Sequence, residues 1–365
     1  MSQNIFNSNN KSSLRIPSVD ILRGLALLLM IEAHIPISVE WASKWSNILA
    51  APFFLIISGL SYDLFLLSRK RKSTEKKYLY IEVLSRGFLI YVLPLVPYII
   101  ISVLFTIPFV QLPYVQHYSI QVFHWGVFQV IGAGYVLGAI IPNNLKSKVF
   151  FVIFTFTSAF IISNFYQNVF YFLINDIYAF FPWVGYFLCG RIFYELYSRS
   201  FKDETLLGFS LLFLISSLLI MKILKMDFLL SARDQFPMFL FISSFCFIIF
   251  ALMIIFIDRR HFYHSFFNLF ENIGKICFTS YYIHFPILFF SIYVSKVFFG
   301  GTIFLEYFSS LTLNIIILLL LIIILSCTEE NWRNYNYIFG FEWFIRVGSQ
   351  ILIKLVAKRF PKRFP

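Results

Sequence analysis

The chain has 365 residues, 59% hydrophobic, 21% aromatic and only 13% charged, and its mean hydropathy is +0.79. Soluble proteins carry about 25% charged residues, so the composition excludes a set of soluble domains and describes one polytopic bundle in a lipid bilayer. The net charge of +12 would suggest nucleic acid in a soluble protein. Here Lys and Arg gather in short connections between apolar spans, as the positive-inside rule requires, and no nucleic-acid partner is expected.

The opening MSQNIFNSNNKSSLRIPS is polar and rich in Ser and Asn, without the basic start and cleavage site of a signal peptide. Residues 1–18 are therefore expected to form a disordered cytosolic tail. Windows of about 20 apolar residues then predict about ten transmembrane helices, near 19–38, 47–67, 84–107, 123–141, 149–164, 181–197, 206–224, 237–257, 275–295 and 309–327. The expected fold class is an all-α polytopic membrane protein, with a transmembrane domain over 19–327 and a cytosolic amphipathic, basic segment over 328–365. The second connection carries Arg69, Lys70, Arg71, Lys72, Lys76 and Lys77; alternate later ones carry Lys146 and Lys148, Arg199 and Lys202, then Arg259 and Arg260. The intervening stretches 108–122 and 165–180 contain no Lys or Arg. Both termini are thus expected in the cytosol. The 225–235 loop gives the rule little purchase, because Asp227 and Asp234 offset Lys225 and Arg233.

Polar groups concentrate in the first span. In SVDILRGLALLLMIEAH, Asp20, Arg23, Glu32 and His34 are set among apolar residues. On a helix, the steps from Arg23 to His34 bring the two side chains within about 20° of each other, roughly 16 Å apart along the axis. Asp20 falls within about 60° of Arg23, whereas Glu32 points nearly opposite His34. An ionisable group at membrane depth costs about 2.5–3.5 kcal/mol on insertion scales, so Asp20, Arg23 and His34 are expected to line a protein cavity. Arg23 would lie near the cytosolic face and His34 about three turns further. Glu32 is expected to pair with another helix.

Later spans add fewer polar residues. In FHWGVFQVIGAGYVLG, Trp125 and Gln129 are i, i+4 neighbours, and Gly132, Gly134 and Gly138 permit close helix approach. Pro182 and Trp183 open the sixth span, with Arg191 about 12 Å toward the cytosol, where a plain inner-face cation is the expected reading. His284 lies about 13 Å beyond Lys275, close to the depth expected for His34. Cys189, Cys246, Cys277 and Cys327 stand singly, which predicts neither a metal site nor a disulfide framework. The closing TEENWRNYNYIFGFEWFIRVGSQILIKLVAKRFPKRFP suits an interfacial amphipathic helix on an anionic inner leaflet.

SVDILRGLALLLMIEAH followed by PFFLIISG resembles the opening of the transmembrane acyltransferase superfamily, in particular its heparan-α-glucosaminide N-acetyltransferase-like branch. HWGVFQVIGAGYVLG, FPWVGYFLCGR, IGKICFTSYYIHFPI and GFEWFIR resemble that branch's later landmarks in the same order, so the likeness runs from Arg15 to about Arg346. The Arg23-to-His34 spacing is similar to that of the related acyltransferase-3 family. The resemblance implies transfer of an acyl group from cytosolic acetyl-CoA or another acyl-CoA to a sugar hydroxyl or amine of an extracytoplasmic or lipid-linked glycan. It implies no metal. One departure stands out. The lysosomal enzyme has Asn where His34 stands and its catalytic His in the next loop, but here IPISVEWASKWSNILAAP contains no His. If the chemistry is shared, His34 must perform it.

Acyl transfer from a thioester needs a base or a nucleophile and donors for the developing oxyanion. His34 is the candidate base, since a neutral imidazole titrates near neutrality and costs less in a membrane than a carboxylate. Arg23 is the candidate CoA-phosphate ligand, with Asp20 orienting it. Trp125 and Gln129 are candidates for the acyl pocket and His284 for the acceptor side. Ordinary helix packing is the rival for each. The expected partners are the cell-membrane bilayer, acyl-CoA and the sugar acceptor, with a homodimer left open. Intramembrane charges also mark translocation paths, so a transporter or flippase is the alternative function, and a non-catalytic scaffold is a third.

Overall fold

The structure, a computed structural model, describes residues 16–34, 40–71, 76–96, 126–165, 180–198, 203–225, 236–259, 265–282 and 311–359. Every regular element among them is helical. In chain order these are α1 (Pro17–His34), α2 (Glu40–Arg71), α3 (Lys76–Val92), α4 (Val127–Ile140), α5 (Leu145–Phe165), α6 (Phe180–Ser198), α7 (Asp203–Ile223), α8 (Phe236–Met253), α9 (Ser265–Lys275), α10 (Leu311–Arg333) and α11 (Phe341–Arg359). A π-helical turn, Ile254–Arg259, continues α8.

Three described stretches are long and apolar enough to cross a membrane: Trp45–Arg71, Glu204–Ile223 and Pro237–Ile257. With the composition, they make the chain an integral membrane protein. On α7, Phe209, Leu212, Phe213, Ile215 and Leu219 are all exposed, an apolar surface suited to lipid.

Local signals explain several boundaries. Pro17 opens α1, where its missing N–H costs nothing, and Asp20 sits in the first turn against the positive end of the helix dipole. Arg69, Lys70 and Arg71 close α2 at its negative end. The Asn144 side chain accepts a hydrogen bond from the Ser147 N–H at 2.8 Å and so caps α5. Phe181 is extended, so regular helix in α6 begins at Pro182.

Some expected boundaries shift. The loop expected between the first two spans is partly helix, because α2 begins at Glu40. The third helix starts at Lys76 rather than 84, and residues 97–107 of that expected span lie outside the described residues. Helix α9 occupies sequence expected to be a connection. It is amphipathic, burying Phe270 and Ile273 while carrying Glu271 and Lys275, and so is too polar for an apolar window to register. Helix α10 passes 327 and ends at Arg333.

Contacts divide the chain into two compact units, Met1–Ile57 with Ser200–Trp343, and Ser58–Arg199 with Phe344–Pro365. In the first, α1 and α9 cross backbone to backbone. A Cβ at Gly24 would stand 2.1 Å from the Phe270 carbonyl oxygen, and one at Gly274 would stand 1.8 Å from that of Asp20. In the second, a Cβ at Gly59 of α2 would meet the Phe187 carbonyl of α6 at 1.9 Å, and Gly132 of α4 lies against Gly87 of α3. Membrane helices lack a hydrophobic drive toward each other and associate through such close packing.

A backbone oxygen cannot rotate away as a side chain can. Gly274→Ala is therefore expected to cost about 3 kcal/mol or more by forcing α1 and α9 apart. Gly208→Ala is the control, since nothing lies within 4 Å of its added methyl. Thermal unfolding in detergent should show a large loss for the first and none for the second.

Candidate functional site

In the first unit, the first turns of α1 bring together two of the residues expected from the sequence. Arg23 Nη1 donates to Asp20 Oδ1 at 2.5 Å, and the Asp20 side chain is only 3% exposed while that of Arg23 keeps 27%. The i, i+3 spacing makes this pair, and the Gly274 contact fixes the backbone beneath it. The carboxylate thus orients a guanidinium that still reaches solvent. Arg23, Asp20 and Glu342 all lie within electrostatic range of the buried Cys277.

Glu32 is buried on the same helix, and its Oε2 finds no hydrogen-bond partner among the described residues. The inter-helix partner expected from the sequence is therefore not among them. His34 is the last residue of α1, and its side chain lies outside what the structure describes. Trp125 and His284 also lie outside the described residues.

Glu342, at the start of α11, is half-buried against the segment that follows α9. It accepts hydrogen bonds from the backbone N–H groups of Phe278 and Thr279, at 2.8 and 3.3 Å, and from the Thr279 hydroxyl. The Phe341 N–H donates back to Thr279 Oγ1 at 2.8 Å, and the Phe341 and Tyr282 rings stack with centroids 4.2 Å apart. Burial raises the Glu342 carboxyl above its ordinary pKa, while these donors pull it down. The GFEWFIR landmark is therefore not simply an interfacial surface, since its first residues are tied into the first unit.

In the second unit, Gln129 is buried and its Oε1 accepts the Gly126 N–H at 3.0 Å. Its side-chain carbonyl closes the first turn of its own helix.

A further cluster in this unit was not expected. Lys148 and Arg191, read from sequence as inner-face cations, are wholly buried around Asp63 of α2. Lys148 Nζ lies 3.0 Å from Asp63 Oδ2 and 3.1 Å from Glu195 Oε2, and Arg191 Nε lies 3.2 Å from Asp63 Oδ1. Arg191 also donates to the Gly138 carbonyl at 3.2 Å and to Asn143 Oδ1 at 3.4 Å, with its guanidinium 4.7 Å above the Tyr62 ring. Two cations face two carboxylates, so the cluster is formally neutral and well bonded. It joins α2, α5, α6 and the turn after α4. Its sequence signal was Asp63, a lone carboxylate within the expected second span.

Residues 15–221, more than half of the chain, match a family model described as heparan-alpha-glucosaminide N-acetyltransferase, catalytic. The matched stretch includes Asp20, Arg23, His34, Trp125 and Gln129 and ends before His284 and GFEWFIR. No curated protein matches the chain.

Proposed function

Because the chain belongs to the heparan-alpha-glucosaminide N-acetyltransferase catalytic family, we propose that it is a multi-pass cell-membrane acetyltransferase. It takes an acetyl group from cytosolic acetyl-CoA and passes it to a sugar hydroxyl or amine of an extracytoplasmic or lipid-linked glycan. The observation that carries the reading is the buried Asp20 carboxylate holding a part-exposed Arg23 on the helix that ends in His34, all within the matched residues.

In this reading Arg23 grips a phosphate of the donor, and Asp20 keeps the guanidinium fork aimed. His34 Nδ1 or Nε2 takes the proton from the acceptor hydroxyl or amine as that atom attacks the thioester carbonyl. The C–S bond breaks, and CoA leaves as the thiolate or thiol. Gln129 and Trp125 wall the acyl group, and His284 orients the acceptor. In the same reading the chain has the ten spans and cytosolic termini expected from its sequence, with donor and acceptor on opposite sides of the bilayer.

Arg23→Gln is expected to raise the Kd for acetyl-CoA about tenfold, by loss of one charge-assisted contact. Equilibrium binding to the purified protein measures it. Lack of any acetyl-CoA binding by the wild type, combined with substrate uptake into proteoliposomes without acyl-CoA, would favour the transporter reading.

A further inference from the structure

A second cluster of charge in the second unit is not neutral. On α2 and α3, Arg69 Nη2 and Arg86 Nη2 both reach one oxygen, Glu82 Oε1, at 2.5 and 3.2 Å. The Glu82 side chain is 5% exposed, whereas those of Arg69 and Arg86 keep 25% and 20%. Both guanidiniums also lie over the Phe65 ring, at 5.5 and 4.2 Å from its centroid.

Among the described residues the arrangement is under-compensated. Two fixed positive charges share one carboxylate, and each guanidinium carries five N–H donors. The Nε atoms of both are buried without a hydrogen-bond partner among the described residues. The part-exposed remainder of each guanidinium is where an incoming anion can accept and offset the excess positive charge. The ring and the carboxylate hold the two planes in place, so little side-chain entropy is left to lose on binding. Lys70, Arg71 and Lys76 are exposed at the adjoining helix ends and add attraction for an anion.

We propose that Arg69 and Arg86 form a binding site for a phosphate ester, with Glu82 and Phe65 as its support. Phosphate matches the site because it is tetrahedral, anionic and accepts bidentately from guanidinium. Two sources offer that group at a cytosolic membrane face: the headgroup of an anionic phospholipid, and the phosphates of CoA. The lipid source is independent of the acetyltransferase reading, and the CoA source rests on it.

The test uses the full-length protein in detergent or nanodiscs and the double variant Arg69→Lys/Arg86→Lys. That variant keeps both charges beside Glu82 and removes the forks. Native mass spectrometry compares retention of phosphatidylglycerol with phosphatidylcholine, and titration compares CoA with 3′-dephospho-CoA. The wild type is expected to prefer phosphatidylglycerol, or CoA over its dephospho form, and the double variant to lose that preference by about tenfold. Whichever preference falls identifies the source. Equal preferences in wild type and variant overturn the site. Should the variant not fold, a wild type that discriminates neither between the two lipids nor between the two CoA forms overturns it as well. A wild type that transfers acetyl groups yet shows neither phosphate preference would refute this site alone, and absence of transfer with lipid preference intact would refute only the enzymatic reading.

Discussion

Asp63→Ala is expected to destabilise the protein by about 3–5 kcal/mol, as breaking one side of a buried ion pair does. Asp63 is a carboxylate shared by Lys148 and Arg191, whose side chains are 0% exposed. Without it Lys148 keeps Glu195, and among the described residues Arg191 keeps neutral partners, the Gly138 carbonyl and Asn143, with the Tyr62 face. A guanidinium cannot shed its proton to relieve the burial. Lys148→Met should cost less, because Asp63 retains Arg191 and the Glu195 side chain, 15% exposed, can turn toward water. The double variant Asp63→Ala/Lys148→Met should then be less damaged than the sum of the two, since removing one cation with one carboxylate leaves Arg191 and Glu195 and restores formal neutrality. Melting in detergent measures all three. A melting curve for Asp63→Ala that overlays the wild type would remove the cluster as a brace.

His34→Ala is expected to lower acetyl transfer by about 10²–10⁴-fold, the usual contribution of a positioned general base. The variant should fold, since the change falls on the last residue of α1 and leaves the Gly24 and Gly274 crossing untouched. The loop that follows contains no other His to take over. Exogenous imidazole should restore part of the rate if the missing group is a proton acceptor. Glu32→Gln, on the same helix but nearly opposite His34 in projection, should retain most activity. Unchanged kcat in His34→Ala would remove the assigned base.

Apolar runs are visible wherever they are long, and so the sequence pattern located α1, α6, α7 and α8 closely. It failed at α9, whose buried face is carried by Phe270 and Ile273 between charged residues, a pattern with helical period and low mean hydropathy. The Asp20–Arg23 pair was legible because both partners lie on one helix and spacing alone fixes their geometry. The Asp63 cluster was not, because Lys148 and Arg191 reach it from helices far along the chain. A lysine just inside a helix start looks the same in sequence whether it faces headgroups or a buried carboxylate. Glu342 was hidden for a related reason, since its donors at Phe278 and Thr279 are backbone groups that composition does not mark.

Membranes carrying the protein, supplied with acetyl-CoA labelled in the acetyl group, test the account most directly. The expected result is label in the membrane's own glycan fraction from wild-type protein, with little or none from His34→Ala. Label transferred equally by both proteins, or no transfer while the wild type moves a solute without acetyl-CoA, would contradict it.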